Sequence, residues 1–151
     1  MTLYWAAKKG LEAVVQRLPE HNADVDAKED YYGWTALFEA ARNGLEAVVQ
    51  RLLEHKVDVD AKDQDGQTAL YWAANSGHEA VVRQLLEHEA DVHTKDSYGQ
   101  TALCWAAKKG HEVVVQQSLS IRLTPTRRVI MGRRHYAGLH LCDSHCSFEA
   151  M

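Results

Sequence analysis

One short string, T-A-L-x-x-A-A, recurs at a fixed spacing of 33 residues, over 35–41, 68–74 and 101–107. Each copy is followed three residues later by a glycine, at Gly44, Gly77 and Gly110. An E-x-V-V block comes next, over 46–49, 79–82 and 112–115, and then L-L-E-H over 52–55 and 85–88. The unit closes with D-V-x-x-K-D and a glycine, ending at Gly66 and Gly99. A chain written this way is a stack of supersecondary units, because one such unit cannot bury its own apolar face. The start of the chain joins the series, since Leu3-Tyr4-Trp5-Ala6-Ala7 matches Leu70-Tyr71-Trp72-Ala73-Ala74. Gly10 and Gly44 are 34 residues apart, and the extra residue falls in the loop 28–33, where an insertion costs least.

The chemistry of one unit predicts its shape. Thr35, Thr68 and Thr101 are suitable N-caps for a short, Ala-rich first helix. Gly44, Gly77 and Gly110 end that helix in the left-handed region. The second helix carries Val81, Val82, Leu85 and Leu86, a stripe that must be buried. The D-V-x-x-K-D-x-x-G stretch is polar turn chemistry. The units are expected at 1–28, 29–61, 62–94 and, in part, 95–117.

Charge divides the chain at the place where the pattern stops. Residues 1–117 hold 12 Lys/Arg and 19 Asp/Glu, a net −7, whereas residues 118–151 hold 5 Arg and 2 acids, a net +3. An acidic array repels phosphates, which argues against a nucleic-acid partner. No apolar run reaches the ~20 residues that span a bilayer, so no membrane role is expected. The first ten residues show no basic region followed by an apolar core. Three cysteines do not form a disulfide framework, and Cys104, within a packed helix, reads as an inert thiol. These features fit a cytoplasmic location, with the nucleus left open.

The repeat resembles the ankyrin repeat, whose signature is T-P-L-H-x-A at this period. The resemblance covers residues 1 to about 117. Ala36, Ala69 and Ala102 stand where that family usually has Pro, which is favourable but not essential at a first helical turn. Phe38, Tyr71 and Cys104 stand where it usually has His, which removes a side-chain hydrogen bond and not the fold. The resemblance implies an all-α solenoid of stacked helix–turn–helix units with β-turn or hairpin tips. An irregular C-terminal tail follows.

After Val115 the fourth unit loses its pattern in mid-helix and runs Gln116-Gln117-Ser118-Leu119-Ser120-Ile121-Arg122. Codons permitted for residues 120–140, read in the neighbouring frame, give H-K-A-D-A-D-T-K-G-H-Y-G-T-T-A-L-C-W-A-A, a further unit in register. The hypothesis is therefore that the segment from about 117 is a frameshifted repeat. A transcript whose codons do not permit that reading would end it. On this reading residues 118–151 form a poorly ordered tail. Uncapped ends would leave the array marginally stable and prone to self-association, a reading opposed by a sharp, reversible, concentration-independent melt.

No nucleophile elbow, phosphate-binding loop, dinucleotide fingerprint or carboxylate pair is present, so no catalysis, cofactor or metal is expected. His55, His88, His78 and His111 recur at the repeat period and read as repeat residues. His140, Cys142, His145 and Cys146 have ligand-like spacing without a second pair, and Arg127, Arg128, Arg133 and Arg134 make a basic cluster; the shifted frame accounts for both. The row Trp5, Trp72 and Trp105, interrupted by Glu39, reads as core between units. The alternative is an aromatic row on the concave face, with Glu39 lining that face or paired with Arg42. The resemblance implies that a protein partner is gripped by turn tips and first-helix ends. At the tips these residues are Tyr31, Tyr32 and Trp34; Lys62, Gln64, Asp65 and Gln67; Lys95, Ser97, Tyr98 and Gln100. At the helix ends they are Arg42 and Asn43, Asn75 and Ser76, and Lys108 and Lys109, with Lys8 and Lys9 in the first unit. The expected function is a protein–protein interaction scaffold. The alternative is a fragment of a larger multidomain protein in which the array is a sensing or autoinhibitory arm.

Overall fold

The computed structural model describes residues 2–17 and 24–122. Among them eight helices run in four pairs: α1 Thr2–Lys8 and α2 Glu12–Arg17, α3 Ala36–Arg42 and α4 Glu46–Leu53, α5 Ala69–Ser76 and α6 Glu79–Glu87, α7 Ala102–Lys109 and α8 Glu112–Arg122. This is an all-α repeat solenoid. First helices α1, α3, α5 and α7 contact one another in one row, and second helices α2, α4, α6 and α8 in another.

Local signals set each pair. The Oγ1 atoms of Thr35, Thr68 and Thr101 accept the N–H of Phe38, Tyr71 and Cys104 at 3.4, 3.3 and 3.4 Å, as the cap motif requires. Gly77 and Gly110 follow their helices at φ 76° and 77°, and Gly44 follows Asn43 at φ 68°. Small side chains let the first helices approach: Ala40, Ala41, Ala73, Ala74 and Ala106 are all buried. The second helices bury Val48, Val49, Leu52 and Leu53 in one unit and Val81, Val82, Leu85 and Leu86 in the next. Each such side chain contributes about 2 kcal/mol of apolar transfer, which is why stacking drives the fold.

The periodic histidines have a structural part. His78 Nε2 lies 3.0 Å from the Arg42 carbonyl and His111 Nε2 lies 3.2 Å from the Asn75 carbonyl. A carbonyl only accepts, so Nε2 carries the proton in both. Each histidine thus caps the first helix of the preceding unit and satisfies a carbonyl that helix leaves open. At Gly10 the neighbour is Leu45, so the first junction lacks this cap.

Successive turn tips are also joined. The tips close as hairpins, with an antiparallel bridge between Lys95 and Thr101 and with Asp63 N–H donating to the Gln67 carbonyl at 3.0 Å. Gln64 N–H donates to the Tyr32 carbonyl at 3.2 Å, and Ser97 N–H to the Asp65 carbonyl at 2.8 Å. The tips therefore form a hydrogen-bonded ladder beside the helices.

The last unit differs from the sequence expectation. Helix α8 continues through the point where the pattern breaks and reaches Arg122. Ser118 is buried in the register position that Leu52 and Leu85 fill above it, and its Oγ donates to the Val114 carbonyl at 2.9 Å. A short polar side chain keeps the helix by bonding one turn back, and gives up the packing. Cys104 is buried on α7. The tail clusters, Arg127 to Arg134 and His140 to Cys146, lie outside the described residues.

Candidate functional site

The turn tips and first helices place aromatic rings side by side. The second unit's tip is organised by Glu29, whose carboxylate accepts the N–H groups of Tyr31 at 2.9 Å, of Trp34 at 3.4 Å, and of Tyr32. Burial opposes its charge, but these backbone donors outweigh it and hold the carboxyl below its ordinary range. On that frame Tyr31 meets Tyr32 edge-on at 4.5 Å, and Tyr32 stacks on Trp34 at 4.8 Å. Trp34 then meets Trp72 at 5.4 Å, Trp72 meets Tyr71 at 5.4 Å, and Tyr71 meets Trp105 at 5.8 Å. The cluster runs unbroken from the second unit to the fourth.

Two aspartates fix the indoles. Asp63 Oδ2 accepts the Nε1–H of Trp34 at 3.2 Å and of Trp72 at 3.4 Å, while its Oδ1 accepts the N–H of Gln67 and Asp65. Asp96 Oδ2 accepts Trp105 Nε1–H at 3.1 Å, and its Oδ1 accepts the N–H of Tyr98 and Gln100. One carboxylate thus ties a turn to the helix it precedes. Beside these acids, burial pushes the Tyr71 phenol up to about 12, with the charges of Asp96, Asp63 and Asp65 adding to it.

Cations lie over the rings. The Arg42 guanidinium sits 5.0 Å from the Trp34 ring and 5.5 Å from Trp72. Lys108 Nζ sits 4.9 Å from Trp105 and donates to Gln100 Oε1 at 3.0 Å. Lys8 Nζ sits 5.1 Å from Trp5.

The expected residues divide by exposure. Tyr31, Tyr32 and Tyr98 are exposed, at 73, 50 and 68%. Lys62, Gln64, Asp65, Ser76, Lys95 and Ser97 are exposed too, as are Arg42, Asn43, Lys108 and Lys109. Trp34, Asn75 and Gln100 are partly covered. Gln67 and Glu39 are buried. Glu39, only 2% exposed, accepts from Tyr4 Oη at 3.5 Å and from Asn43 Nδ2 at 3.0 Å. It neither lines the surface nor pairs with Arg42, which has turned to the tryptophans. The Trp series is divided as well: Trp5 is 52% exposed, whereas Trp72 and Trp105 are half-buried and pack on the core. Sequence reasoning missed the indole–aspartate bonds. Their signal is an Asp nine residues before Trp72 and again before Trp105.

Among the described residues no group of three metal-ligating side chains is found, and no helix is long and apolar enough to cross a membrane. The family model described as ankyrin repeats (3 copies) matches residues 1–63 and 43–117. Comparison with curated proteins finds no match.

Proposed function

The chain belongs to the ankyrin-repeat family, and from that premise we propose that it is a scaffold whose concave face and turn tips grip a protein partner. Ankyrin repeats are in general non-catalytic modules that bind other proteins. The single observation that carries the reading further is the aromatic row from Tyr31 to Trp105, open at Tyr31 and Tyr32 and crossed by Arg42 and Lys108, with Tyr98 exposed on the fourth unit's tip. Its indoles are fixed by aspartate, and exposed tyrosines on the tips beside them are the kind of aromatic anchor that dominates protein interfaces. The chain acts where the partner is, in the cytoplasm.

Capture from a cell extract tests this, with the full chain immobilised and bound proteins identified. The partner is retained by wild type and by Gln50→Ala and Arg83→Ala, which alter exposed positions of the second helices. It is lost with Tyr31→Ala/Tyr32→Ala/Tyr98→Ala. Binding of the purified partner should then fall by at least tenfold in the triple variant, as about 1.4 kcal/mol of lost contact produces. Equal capture by all variants rejects the face.

A further inference from the structure

The first-helix row has a charge unlike that of the molecule. One repeat position is Lys8, Arg42, Asn75 and Lys108, and the next is Lys9, Asn43, Ser76 and Lys109. Five of these eight residues are cations and none is an acid. Within the described first helices the acid is Glu39, which is buried and already bonded to Tyr4 and Asn43. The other acids among the described residues stand on the loops and second helices. The ion pairs among the described residues join Arg51 to Glu12 and to Glu54, both on the second-helix side. Lys8 and Arg42 therefore face outward over their rings without a carboxylate. A guanidinium lying over a ring spends its face there and keeps its in-plane N–H donors for a carboxylate.

The spacing fits an extended chain. Neighbouring first helices pack roughly 8–10 Å apart. An extended polyproline II segment advances about 3.1 Å per residue and brings every third side chain to one face. Lys8 and Arg42 are one unit apart, hence about three residues of ligand, and Arg42 and Lys108 two units apart, hence about six. Beside the cations stand the half-buried rings of Trp72, 5.5 Å from Arg42, and Trp105, 4.9 Å from Lys108. We propose that this face selects an extended acidic segment of a partner protein, its carboxylates at Lys8, Arg42 and Lys108 and its apolar side chains against the tryptophans beside them. The inference rests on the binding-module reading and names its partner class by charge complementarity.

The test uses the full chain and three fluorescein-labelled dodecapeptides, followed by anisotropy. One carries Glu at positions 1, 4 and 10 among apolar and neutral residues. The second has Lys at those positions, and the third has the same three Glu placed together. The spaced Glu peptide should bind about tenfold more tightly than the Lys peptide and measurably better than the clustered one. Raising salt from 50 to 200 mM should weaken it several-fold. Arg42→Gln should weaken it about fivefold, while Arg83→Gln on α6 should leave it within twofold. Equal binding of Glu and Lys peptides overturns the proposal, as does equal sensitivity to Arg42→Gln and Arg83→Gln. So does an RNA dodecamer that binds more tightly through the same residues. If no peptide binds, charge selection is rejected, and the capture experiment with the tyrosine variants still decides the binding module separately.

Discussion

Substituting Gly77 by Ala separates two reasons a glycine can be required. The residue sits at φ 76°, and a Cβ there would lie 2.6 Å from the His111 ring, well inside contact distance. Gly110 holds nearly the same φ, 77°, but among the described residues a Cβ there meets nothing within 4 Å. Gly110→Ala therefore carries only the left-handed backbone cost, about 1 kcal/mol. Gly77→Ala carries that cost and must also push the imidazole away from the Asn75 carbonyl, forfeiting a bond worth about 1 kcal/mol and some inter-unit packing. Its total should be about 2–3 kcal/mol. The assay is urea unfolding followed by far-UV circular dichroism and by tryptophan emission, with thermal melts beside it. At roughly 4 °C per kcal/mol, Gly77→Ala should melt several degrees below Gly110→Ala. In a His111→Ala background the Gly77 substitution should shrink to the backbone cost alone. Equal losses at Gly77 and Gly110, or an undiminished loss in that background, would refute the claim that the histidine wedge is what demands glycine between units.

Other consequences can be checked on the same samples. Asp63→Ala removes the acceptor of two indoles and of two turn N–H groups, and should cost about 2 kcal/mol with a change in tryptophan emission; unchanged urea midpoint and emission would contradict it. Glu29, held below its ordinary value, contributes stability above the unfolded value of 4.5 that is lost as pH falls through the folded one. Acid titration of the urea midpoint should accordingly show a limb that is absent in Glu29→Gln. Tyr71 is raised from 10.0 to about 12, so the stability it contributes is complete below pH 10 and lost between 10 and about 12. Burial and the neighbouring Glu39 also raise the Tyr4 phenol, so absorbance at 295 nm should show two delayed phenols, of which the later disappears in Tyr71→Phe.

The fold was legible because each unit's secondary structure is decided within the unit. Thr caps, glycine stops and the V-V-x-x-L-L stripe act over a few residues, and three copies in register make the stacking direction plain. The site was legible only in outline. Tyr31, Tyr32 and Tyr98 are exposed because turn tips have nothing above them, which residue type and place in the unit foretell. The fate of Glu39 was not, because it depends on Tyr4 in the preceding unit, and no repeat-internal rule couples the two. For the same reason Arg42 could be expected to pair with Glu39. Its choice of Trp34 and Trp72 follows from the ring stack that a one-residue-longer loop builds. Interactions within a unit were readable, whereas those between units depend on where the units diverge from one another.

The break after Val115 gives that contrast an energetic test. Val48 and Leu52, Val81 and Leu85, and Val114 and Ser118 are successive versions of one i, i+4 pair on the buried face of the second helix. In the first two the leucine is fully buried; in the third Ser118 is buried in its place, with its hydroxyl turned back to the Val114 carbonyl. Leu119, one residue on, keeps the position of Leu53 and Leu86 and stays only partly covered. Restoring leucine should return up to about 2 kcal/mol of apolar burial. The lost serine bond subtracts roughly 0.5–1 kcal/mol. Ser118→Leu should therefore stabilise the chain by about 1 kcal/mol, raising the urea midpoint without changing its slope. A polar-to-apolar change that stabilises a protein is uncommon, and here it is expected because the site belongs to a repeat whose other copies already hold leucine. A neutral or destabilising outcome would mean that α8 has closed over the serine, so that the last unit packs by rules of its own and not by those of the three above it.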